Sequence, residues 1–261
     1  MKLRRVPARD AEPPEFLAGA NAAFGAWGDA AFFAWVFRDD AEILFLDDAD
    51  GHAVAGSGIT YRTLRGGQRA AIMTGSWTLP QARGGGAFSR MLQATCEIAA
   101  ERHAVVLGFG RAENASARRF VAAGAAMPPA FYCRSTEASA SPAMEIEPLD
   151  PDPSLYPSSF VYTTEQWQTQ FLARPNARIE CLGRACIWAA VVERASEFDR
   201  VHAVSDENAL PELAARAHAA GRRLFWYTTR RPAIECEWTD GFLASLPPAT
   251  TAWTFQNGDR M

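Results

Sequence analysis

Three consecutive glycines, Gly84, Gly85 and Gly86, follow Arg83 and separate a strand-like run from a helical run. Glycine tolerates backbone conformations that other residues avoid, so successive N–H groups can turn toward one point and bind an anion. The N-terminus of the following helix adds about half a positive charge there, and Arg83 adds a whole one. The spacing therefore predicts a binding site for a phosphate or pyrophosphate.

This loop lacks the features of two common nucleotide-binding motifs. It contains no Gly-Lys-Ser/Thr sequence, which a P-loop requires. Strands with antiparallel character precede it, whereas a Rossmann fingerprint follows the first strand of a parallel βαβ unit. A nucleotide-binding protein that uses the three glycines is kept as an alternative, which the missing lysine disfavours.

Alternating hydrophobicity and turn residues predict the elements that position the loop. The turn formers Asp50-Gly51 and Gly66-Gly67 join three strands into an antiparallel meander. The predicted elements of the first half are a strand at 2–8, helices at 15–27 and after Gly28, strands at 43–47, 53–64 and 68–79, a helix at 87–102, a strand at 104–109, a helix at 116–123 and a strand at 130–135.

The pattern Pro80-x-x-Arg83-Gly84-x-Gly86, at the end of a fourth strand and opening a long helix, resembles the acyl-coenzyme A motif of the GNAT superfamily of acyltransferases. The resemblance covers about residues 2–135 and is strongest over 76–124. It implies an α/β (α+β) GNAT fold, with a central mixed, mostly antiparallel sheet flanked by helices. In such enzymes the fourth strand splays from the fifth, and the pantetheine arm lies in the gap.

The resemblance also implies which residues bind the donor, acetyl-coenzyme A or another acyl-coenzyme A. The fourth strand would supply backbone groups for pantetheine, and the loop would hold the pyrophosphate. The downstream segment Glu113-Asn114-Ala115-Ser116, with Phe120 and Gly124, is similar to the family's segment after the fifth strand. The implied donor-binding residues are Trp77, Thr78, Leu79, Arg83, Gly84, Gly85, Gly86, Ala87, Phe88, Ser89, Asn114 and Phe120.

Two of these residues depart from the family pattern. Phe88 stands where many members have glycine or alanine, and Phe120 stands where a tyrosine often protonates the departing thiolate. The nearest hydroxyls by topology are Ser116 and Tyr132; we select Tyr132, because a phenol can protonate a thiolate at modest cost. Packing of Tyr132 in the sheet is the alternative, and thiolate release without a protein acid is also chemically acceptable.

The general base is not identified by the sequence. No carboxylate occurs between Gln68 and Leu79, so a glutamate on the fourth strand is absent. Asp47, His52, Glu113 and a water chain are the candidates, although Asp47 and His52 are first interpreted as strand-end and turn residues. The predicted catalytic set is therefore Tyr132, Ser116 and Glu113.

The second half resembles a degenerate GNAT-like module of the tandem type. Residues 139–159 are rich in Pro, Ser, Asp and Ala, which indicates a linker between domains at 1–138 and 160–261. The loop Ser205–Ala209 contains two carboxylates and no glycine, and would repel coenzyme A phosphates. The predicted elements are a helix at 163–175, two strands within 177–193, a strand near 201–204, a helix at 209–220, a strand at 224–229 and a last strand near 253–256.

Composition excludes several functional classes. A net charge of -4 and a pI near 5.7 argue against a nucleic-acid-binding face, which needs clustered basic residues. No apolar stretch approaches the roughly 20 residues of a membrane helix, and the five cysteines form no CxxC pair typical of a zinc site. We expect a cytoplasmic protein without metal, nucleic-acid or membrane partners, and the internal duplication favours a monomer over a dimer.

The sequence therefore predicts an acyl-coenzyme A-dependent N-acyltransferase. Its acceptor would be an amine of a small molecule or peptide, and acetyl is the first candidate for the acyl group. A longer, fatty acyl group on a lysine- or ornithine-type peptide side chain is an alternative within the class. A catalytically inactive acyl-coenzyme A sensor, suggested by Phe120, is the alternative from another class.

Overall fold

The computed structural model describes residues 1–136, 144–184, 187–232, 234–248 and 253–260. The chain divides into two compact units. The first comprises Met1–Gly110, Asn114–Met127 and Leu243–Thr250, and the second comprises Arg111–Glu113, Pro128–Phe242 and Thr251–Met261.

The bounds of the regular elements are as follows. The strands are β1 Lys2–Pro7, β2 Glu42–Asp47, β3 Ala53–Leu64, β4 Arg69–Thr78, β5 Ala104–Arg111, β6 Pro129–Ser135, β7 Glu147–Pro148, β8 Phe160–Val161, β9 Arg178–Arg184, β10 Trp188–Arg194, β11 Phe198–Val204, β12 Arg223–Thr228 and β13 Cys236–Leu246. The α-helices are α1 Pro13–Phe24, α2 Ala30–Val36, α3 Ala87–Glu101, α4 Ala115–Ala122, α5 Thr164–Phe171 and α6 Leu210–Ala219. None of these helices combines the length and apolarity that a membrane span needs.

The sheet of the first unit has the order β1-β2-β3-β4-β5 and confirms the predicted meander. Strands β1 to β4 are antiparallel neighbours, and β5 is parallel to β4 because α3 returns the chain between them. The parallel ladder joins only Arg69–Ile72 to Ala104–Leu107. Since β4 continues to Thr78 and β5 to Arg111, the two strands separate after Ile72 and Leu107, as the family resemblance implied.

An aromatic cluster forms the core between the sheet and the first two helices. Phe16 of α1 is fully buried and makes edge-to-face contacts with Trp27, Phe33, Phe37 and Trp77, at centroid distances of 5.4, 5.6, 5.1 and 6.1 Å. Such contacts stabilise a core beyond the area that the rings bury. The aromatic residues of α2, Phe32, Phe33 and Trp35, are all buried and belong to this core.

The second unit repeats the arrangement of the first. Its sheet has the order β13-β6-β12-β11-β10-β9-β7. Among the described residues of this sheet, β11 and β12 pair in parallel and the other neighbours are antiparallel. Helix α6 connects these two strands as α3 connects β4 and β5, and packs Leu210, Leu213 and Ala217 into the core. A mixed sheet flanked by helices is thus present in each unit, which confirms the predicted fold class.

The prediction of a last strand near residues 253–256 was wrong. Residues 253–256 do not form a strand. The backbone N–H groups of Thr254 and Gln256 donate to the side chains of Ser159 and Asp259, and not to the backbone of a neighbouring strand. The last strand is instead β13, whose residues 236–242 pair with β6 in antiparallel register. The sequence of β13 alternates only from Cys236 to Thr239 and loses the pattern at Asp240 and Gly241. Its pairing therefore comes from tertiary structure.

The compact units divide the chain differently from the predicted segments 1–138 and 160–261. Strand β6 belongs to the second unit, and Leu243–Leu246 of β13 belong to the first, where Ser245 pairs with Ala126. As a statement about independently folding domains, the predicted boundaries stay a prediction. Within the predicted linker, 139–143 lie outside the described residues, and the remainder contains β7 and a short 3-10 helix at Pro153–Leu155.

Candidate active site

The glycine-rich loop adopts the backbone conformation that its composition predicts. A 3-10 turn at Pro80–Ala82 follows β4, and Gly84 and Gly86 then have φ angles of +84° and +78°. Residues other than glycine rarely adopt these backbone angles. A Cβ atom at Gly84 or Gly86 would meet nothing within 4 Å, so the loop surface is open beside its backbone.

The N-terminus of α3 directs unpaired N–H groups toward this open surface. The helix has no side-chain cap, and its first backbone bond runs from the N–H of Arg90 to the carbonyl of Gly86 at 3.1 Å. The N–H groups of Ala87, Phe88 and Ser89 therefore have no helical acceptor. Together with the helix dipole and the exposed Arg83, they form a site suited to a pyrophosphate.

The end of β4 presents one residue's backbone to the gap between β4 and β5. The N–H of Leu79 donates to the carbonyl of Val54 on the β3 side at 2.9 Å. Successive residues of a strand direct their backbone groups to opposite edges, so the N–H and carbonyl of Thr78 face the gap. The Nε of Arg83 lies 3.4 Å from that carbonyl oxygen. Of the three predicted strand residues, Thr78 therefore offers its N–H to a ligand in the gap.

A β-bulge lies just before this position and was not predicted. Gly56 pairs with Trp77 and Gly58 with Thr74, which leaves two residues of β4 opposite one residue of β3. The hydroxyls of Ser57 and Ser76 at the bulge are 2.7 Å apart. The signal in the sequence was Gly75, whose φ of +62° the bulge requires, because a glycine within a strand often marks such an irregularity.

Phe120 lies where β4 and β5 begin to separate. Its ring is 2% exposed, and a Cβ atom at Gly108, the first residue of β5 beyond the ladder, would be 2.3 Å from the Phe120 Cζ. Phe88 contacts the same ring edge-to-face at 6.0 Å. Phe120 and Phe88 thus border the gap with apolar rings, and neither carries a proton that a thiolate could accept.

The remaining predicted site residues fall into both units. Ser116 is half-buried on α4, one turn before Phe120 and on the same helix face. Asn114 is exposed at the N-cap position of α4, without a side-chain capping bond. Glu113, paired with Arg111 at 3.7 Å, and Tyr132 belong to the second unit.

The acidic side chains around β2 are engaged in ion pairs. Asp47 accepts two hydrogen bonds from Arg4, at 3.0 and 3.1 Å. Glu42 is buried, which raises its pKa, but hydrogen bonds from Arg5 and Tyr61 outweigh burial and bring the pKa below its usual value. Both carboxylates are therefore engaged by structural partners, and neither is a favourable general base.

The hairpin between β2 and β3 places His52 in an exposed turn, as its first interpretation as a turn residue predicts. The His52 side chain is 82% exposed. Asp48 accepts hydrogen bonds from the backbone N–H groups of Asp50 and His52, which is ordinary turn geometry. Their ligand atoms lie within 4.8 Å of one another, but exposed acidic groups commonly cluster in this way without a metal.

Residues 9–125 match the model of the acetyltransferase (GNAT) family. This part of the chain is therefore similar to the GNAT family of acetyltransferases. The matched residues include β4, the glycine-rich loop, α3, β5 and α4, which are the elements that form the gap and the anion site. The family match therefore supports acyl transfer as the chemistry of the first unit.

Solved GNAT structures share the fold of the chain. A GCN5-related N-acetyltransferase from Kribbella flavida is 14% identical over 93% of this chain and 70% of its own, with a TM-score of 0.62. A putative acetyltransferase from Pyrococcus horikoshii is 11% identical, covering 94% and 88%, with a TM-score of 0.63. A tandem GNAT protein from the clavulanic acid biosynthesis pathway is 14% identical, covering 98% and 99%, with a TM-score of 0.61. No curated protein sequence matches the chain.

The tandem GNAT structure confirms the predicted second GNAT-like module, because its likeness extends over nearly the whole chain. At such low identities the comparison concerns the fold alone. The GNAT fold implies acyl-coenzyme A as the co-substrate, and the first unit fits it. Gly84 and Gly86 leave room beside their backbone, and Thr78 directs an N–H and a carbonyl into the gap.

Proposed function

We propose that this protein transfers an acyl group, acetyl as the first candidate, from acyl-coenzyme A to an amine of a small molecule or peptide. The observation that carries the proposal is the geometry of residues 78–89. The backbone of Thr78 faces the gap, and the open N–H groups at the start of α3 follow it. The amides of pantetheine match the strand edge, and the pyrophosphate matches the helix start.

In this proposal the N–H of Thr78 stabilises the transition state. The amine nitrogen attacks the thioester carbonyl, the C–N bond forms, and the C–S bond breaks with its electron pair on sulfur. An N–H fixed by the strand can donate to the carbonyl oxygen as negative charge develops there. Because this group belongs to the backbone, it does not depend on the identity of the Thr78 side chain.

Proton transfer in this proposal relies little on the side chains at the gap. Phe120 cannot protonate the thiolate, and Ser116 is the hydroxyl that shares its helix face. Tyr132 and Glu113 of the second unit stay candidates for acid and base. Since Asp47 and Glu42 are held in ion pairs, we expect the amine to bind neutral or to lose its proton to water, so the rate should rise with pH toward the pKa of the amine.

The length of the acyl chain and the choice of partners are inferred from the apolar rings at the gap and from the net charge of the chain. The rings of Phe88 and Phe120 provide an apolar border that suits a longer acyl group as an alternative to acetyl. The missing hydroxyl at Phe120 is the specific observation in favour of an inactive acyl-coenzyme A sensor. We propose a cytoplasmic monomer that binds no nucleic acid, membrane or metal. The net charge of -4 supports the absence of a nucleic-acid partner.

The first experiment is a titration of coenzyme A thioesters of increasing chain length, followed by native mass spectrometry and thermal unfolding. Stabilisation should depend on chain length and should be lost in Arg83→Glu, because the variant places a negative charge beside the pyrophosphate. Arg65→Glu, the same charge change on the exposed β3–β4 hairpin, is the matched control and should bind as the unmodified protein does.

Turnover distinguishes an enzyme from a sensor. Release of free thiol is measured with a panel of primary amines under donor-saturating conditions. Amine-dependent release supports the acyltransferase, whereas binding with no release on any amine favours the sensor. Failure of every thioester to bind would contradict both.

A further inference from the structure

The second unit contains a gap that corresponds to the donor gap of the first. The β11–β12 ladder joins Phe198–Arg200 to Arg223–Phe225, whereas β11 continues to Val204 and β12 continues to Thr228. A register shift at His202 places a bulge on β11, as on β4. The two parallel strands therefore separate just as β4 and β5 do.

Val204 occupies the position in this gap that Thr78 occupies in the first unit. The N–H of Ser205 donates to the carbonyl of Ala189 on the β10 side at 2.8 Å, as Leu79 donates to Val54. The N–H and carbonyl of Val204 consequently face the gap. A pantetheine amide placed there would bond to both groups.

A side chain of the protein already makes both of these bonds. The Oε1 of Gln256 accepts from the N–H of Val204 at 2.5 Å, and its Nε2 donates to the carbonyl of Val204 at 3.2 Å. The same Nε2 donates to the carbonyl of Pro157 at 2.8 Å. The carboxamide of Gln256 thus pairs with a strand edge in the manner of a bound amide ligand.

The C-terminal segment, Trp253–Arg260, is anchored on both sides of the gap. Asn257 contacts His202 of β11 at 3.1 Å, between the side-chain Nδ2 and the ring Nδ1. The guanidinium of Arg260 lies over the rings of Tyr132 and Tyr227, at 4.5 and 4.7 Å, and Tyr227 is on β12. The segment therefore lies across the opening between β11 and β12.

Buried contacts hold the C-terminal segment in place. Phe255 is 1% exposed and packs on Phe160 at a centroid distance of 4.7 Å. Asp259 is fully buried and accepts hydrogen bonds from the hydroxyls of Ser158 and Tyr162, each at 2.9 Å. Buried apolar and hydrogen-bonded groups of this kind make displacement by a ligand unfavourable.

The loop before α6 in the second unit carries negative charge of its own. Asp206 accepts a hydrogen bond from the N–H of Asn208 at 2.9 Å, and Glu207 accepts one from the hydroxyl of Thr228 at 3.1 Å. Two carboxylates therefore lie in the loop between β11 and α6, which corresponds to the glycine-rich loop between β4 and α3. A pyrophosphate would meet negative charge there.

We propose that the C-terminal segment is a permanent internal occupant of the second gap, so that the chain binds one acyl-coenzyme A, in its first unit. Gln256 takes the place of a pantetheine amide, and Asp206 and Glu207 take the place of the phosphates. The proposal of one site per chain rests on the proposed function. The occupancy of the second gap by Gln256 is tested independently of it.

Stoichiometry is the first test. Native mass spectrometry of the full chain with excess acetyl-coenzyme A should show one bound molecule per chain, and Arg83→Glu should show none. Two molecules per chain, or one retained by Arg83→Glu, would overturn the inference. No binding to the unmodified protein would contradict the proposed function, and the exchange measurements below would then decide the occupancy alone.

Amide hydrogen exchange tests the occupant directly. Without any ligand, Gln256→Ala should speed exchange of the Val204 amide by about fivefold to tenfold, the equivalent of one lost hydrogen bond. Gln168→Ala, the same substitution on the exposed face of α5 in the same unit, should leave it unchanged. Equal Val204 exchange in the two variants would contradict the inference.

A measurement on the unmodified chain avoids any folding defect of Gln256→Ala. Saturating acetyl-coenzyme A should slow exchange of the Thr78 amide and leave the Val204 amide unchanged. Slowing at Val204 comparable to that at Thr78 would mean that a ligand enters the second gap, and would overturn the proposal.

Discussion

Thr78 and Val204 end equivalent strands, and the next residue of each donates its N–H back to the neighbouring antiparallel strand. At Val204 the N–H and the carbonyl that face the gap are both bonded to Gln256. At Thr78 the Nε of Arg83 lies 3.4 Å from the carbonyl oxygen. The same strand geometry can therefore serve a ligand or the protein's own chain. What differs is the source of the hydrogen-bonding partner.

The loops after these two strands also differ in whether the protein itself supplies the hydrogen-bonding partner. The first unit leaves the start of α3 without a side-chain cap, and the second caps the turn before α6 with Asp206. The helix dipole favours negative charge at N–H groups of this kind. In the second unit the charge is built into the sequence, and in the first we propose that it arrives with the ligand.

The largest effect should come from removing the N–H of Thr78. Thr78→Pro deletes a donor that does not contribute to the β3–β4 ladder, so the sheet should survive. If this donor stabilises the oxyanion, kcat should fall by about 10² to 10³. Steady-state kinetics with acetyl-coenzyme A and the best amine measure it; Leu79→Pro, which deletes a ladder donor, should instead lower the melting temperature. An unchanged kcat in Thr78→Pro would remove Thr78 from the mechanism.

The next effect should come from giving the first loop the charge of the second. Gly84→Asp combined with Gly86→Glu should weaken coenzyme A binding by about 10-fold to 100-fold, through repulsion of the pyrophosphate. Calorimetric titration measures the affinity.

The matched control for this double variant is Gly66→Asp with Gly67→Glu on the β3–β4 hairpin. These glycines also have positive φ angles, +97° and +86°, and open surroundings, so backbone strain and added charge are equal. Equal losses of affinity in both double variants would show that strain, rather than charge at the loop, weakens binding.

A smaller effect is expected where Phe120 borders the first gap. Gly108→Ala places a Cβ atom 2.3 Å from the Phe120 ring, which must then move. The free energy of unfolding should fall by about 1 to 3 kcal/mol, the usual cost of overpacking. Chemical denaturation measures it, and in a Phe120→Leu background the same substitution should cost less. Additive losses would show that Gly108 and Phe120 do not interact.

The smallest effect concerns acid stability in the second unit, because Arg200 is partly exposed and water screens its interaction with Glu193. Burial raises the pKa of Glu193, but its hydrogen bond with His202 and the charges of Arg200 and Arg174 lower the pKa further, to about 2. A pKa below the unfolded value means that this carboxylate stabilises the fold above about pH 4.5 and loses that contribution as the pH falls toward 2.

Denaturation from pH 6 to pH 3 compares the unmodified protein with Glu193→Gln. The unmodified protein should lose more stability on acidification than the variant does, while Glu197→Gln, an exposed control in the β10–β11 turn, should follow the unmodified protein. His202 adds to the acid sensitivity, since burial lowers its pKa and its protonation opposes folding. Parallel pH profiles for all three proteins would remove Glu193 from this account.

Much of the fold could be predicted because most helices and strands are specified by patterns of neighbouring residues. Strand β3 and helix α3 have clear alternation or helical periodicity and definite turn residues, so their predicted bounds agree with the structure within one residue. Strand β13 could not be predicted, because its polar sequence is stabilised by pairing with the distant β6. Residues 253–256 were misassigned for the related reason that apolar residues mark burial without specifying what buries them.

The site was predictable to the extent that it depends on backbone. The loop at Gly84 and Gly86 needs positive φ angles, which only the residue type reveals, and both angles are present. The bulge residues Ser57 and Ser76 were missed, since a register shift depends on two strands together. The assignment of Glu113 and Tyr132 as acid and base stays a prediction.

The local sequence alone specifies the glycine-rich loop, the helix that follows it and the two acidic residues at the corresponding turn of the second half. These features depend on the φ preference and charge of adjacent residues, which act over a few positions along the chain. Two other features become visible in the folded chain: β4 and β11 each separate from a parallel neighbour, and Gln256 bonds to Val204. Both depend on residues brought together from distant parts of the chain, where packing and hydrogen bonding select one partner among many.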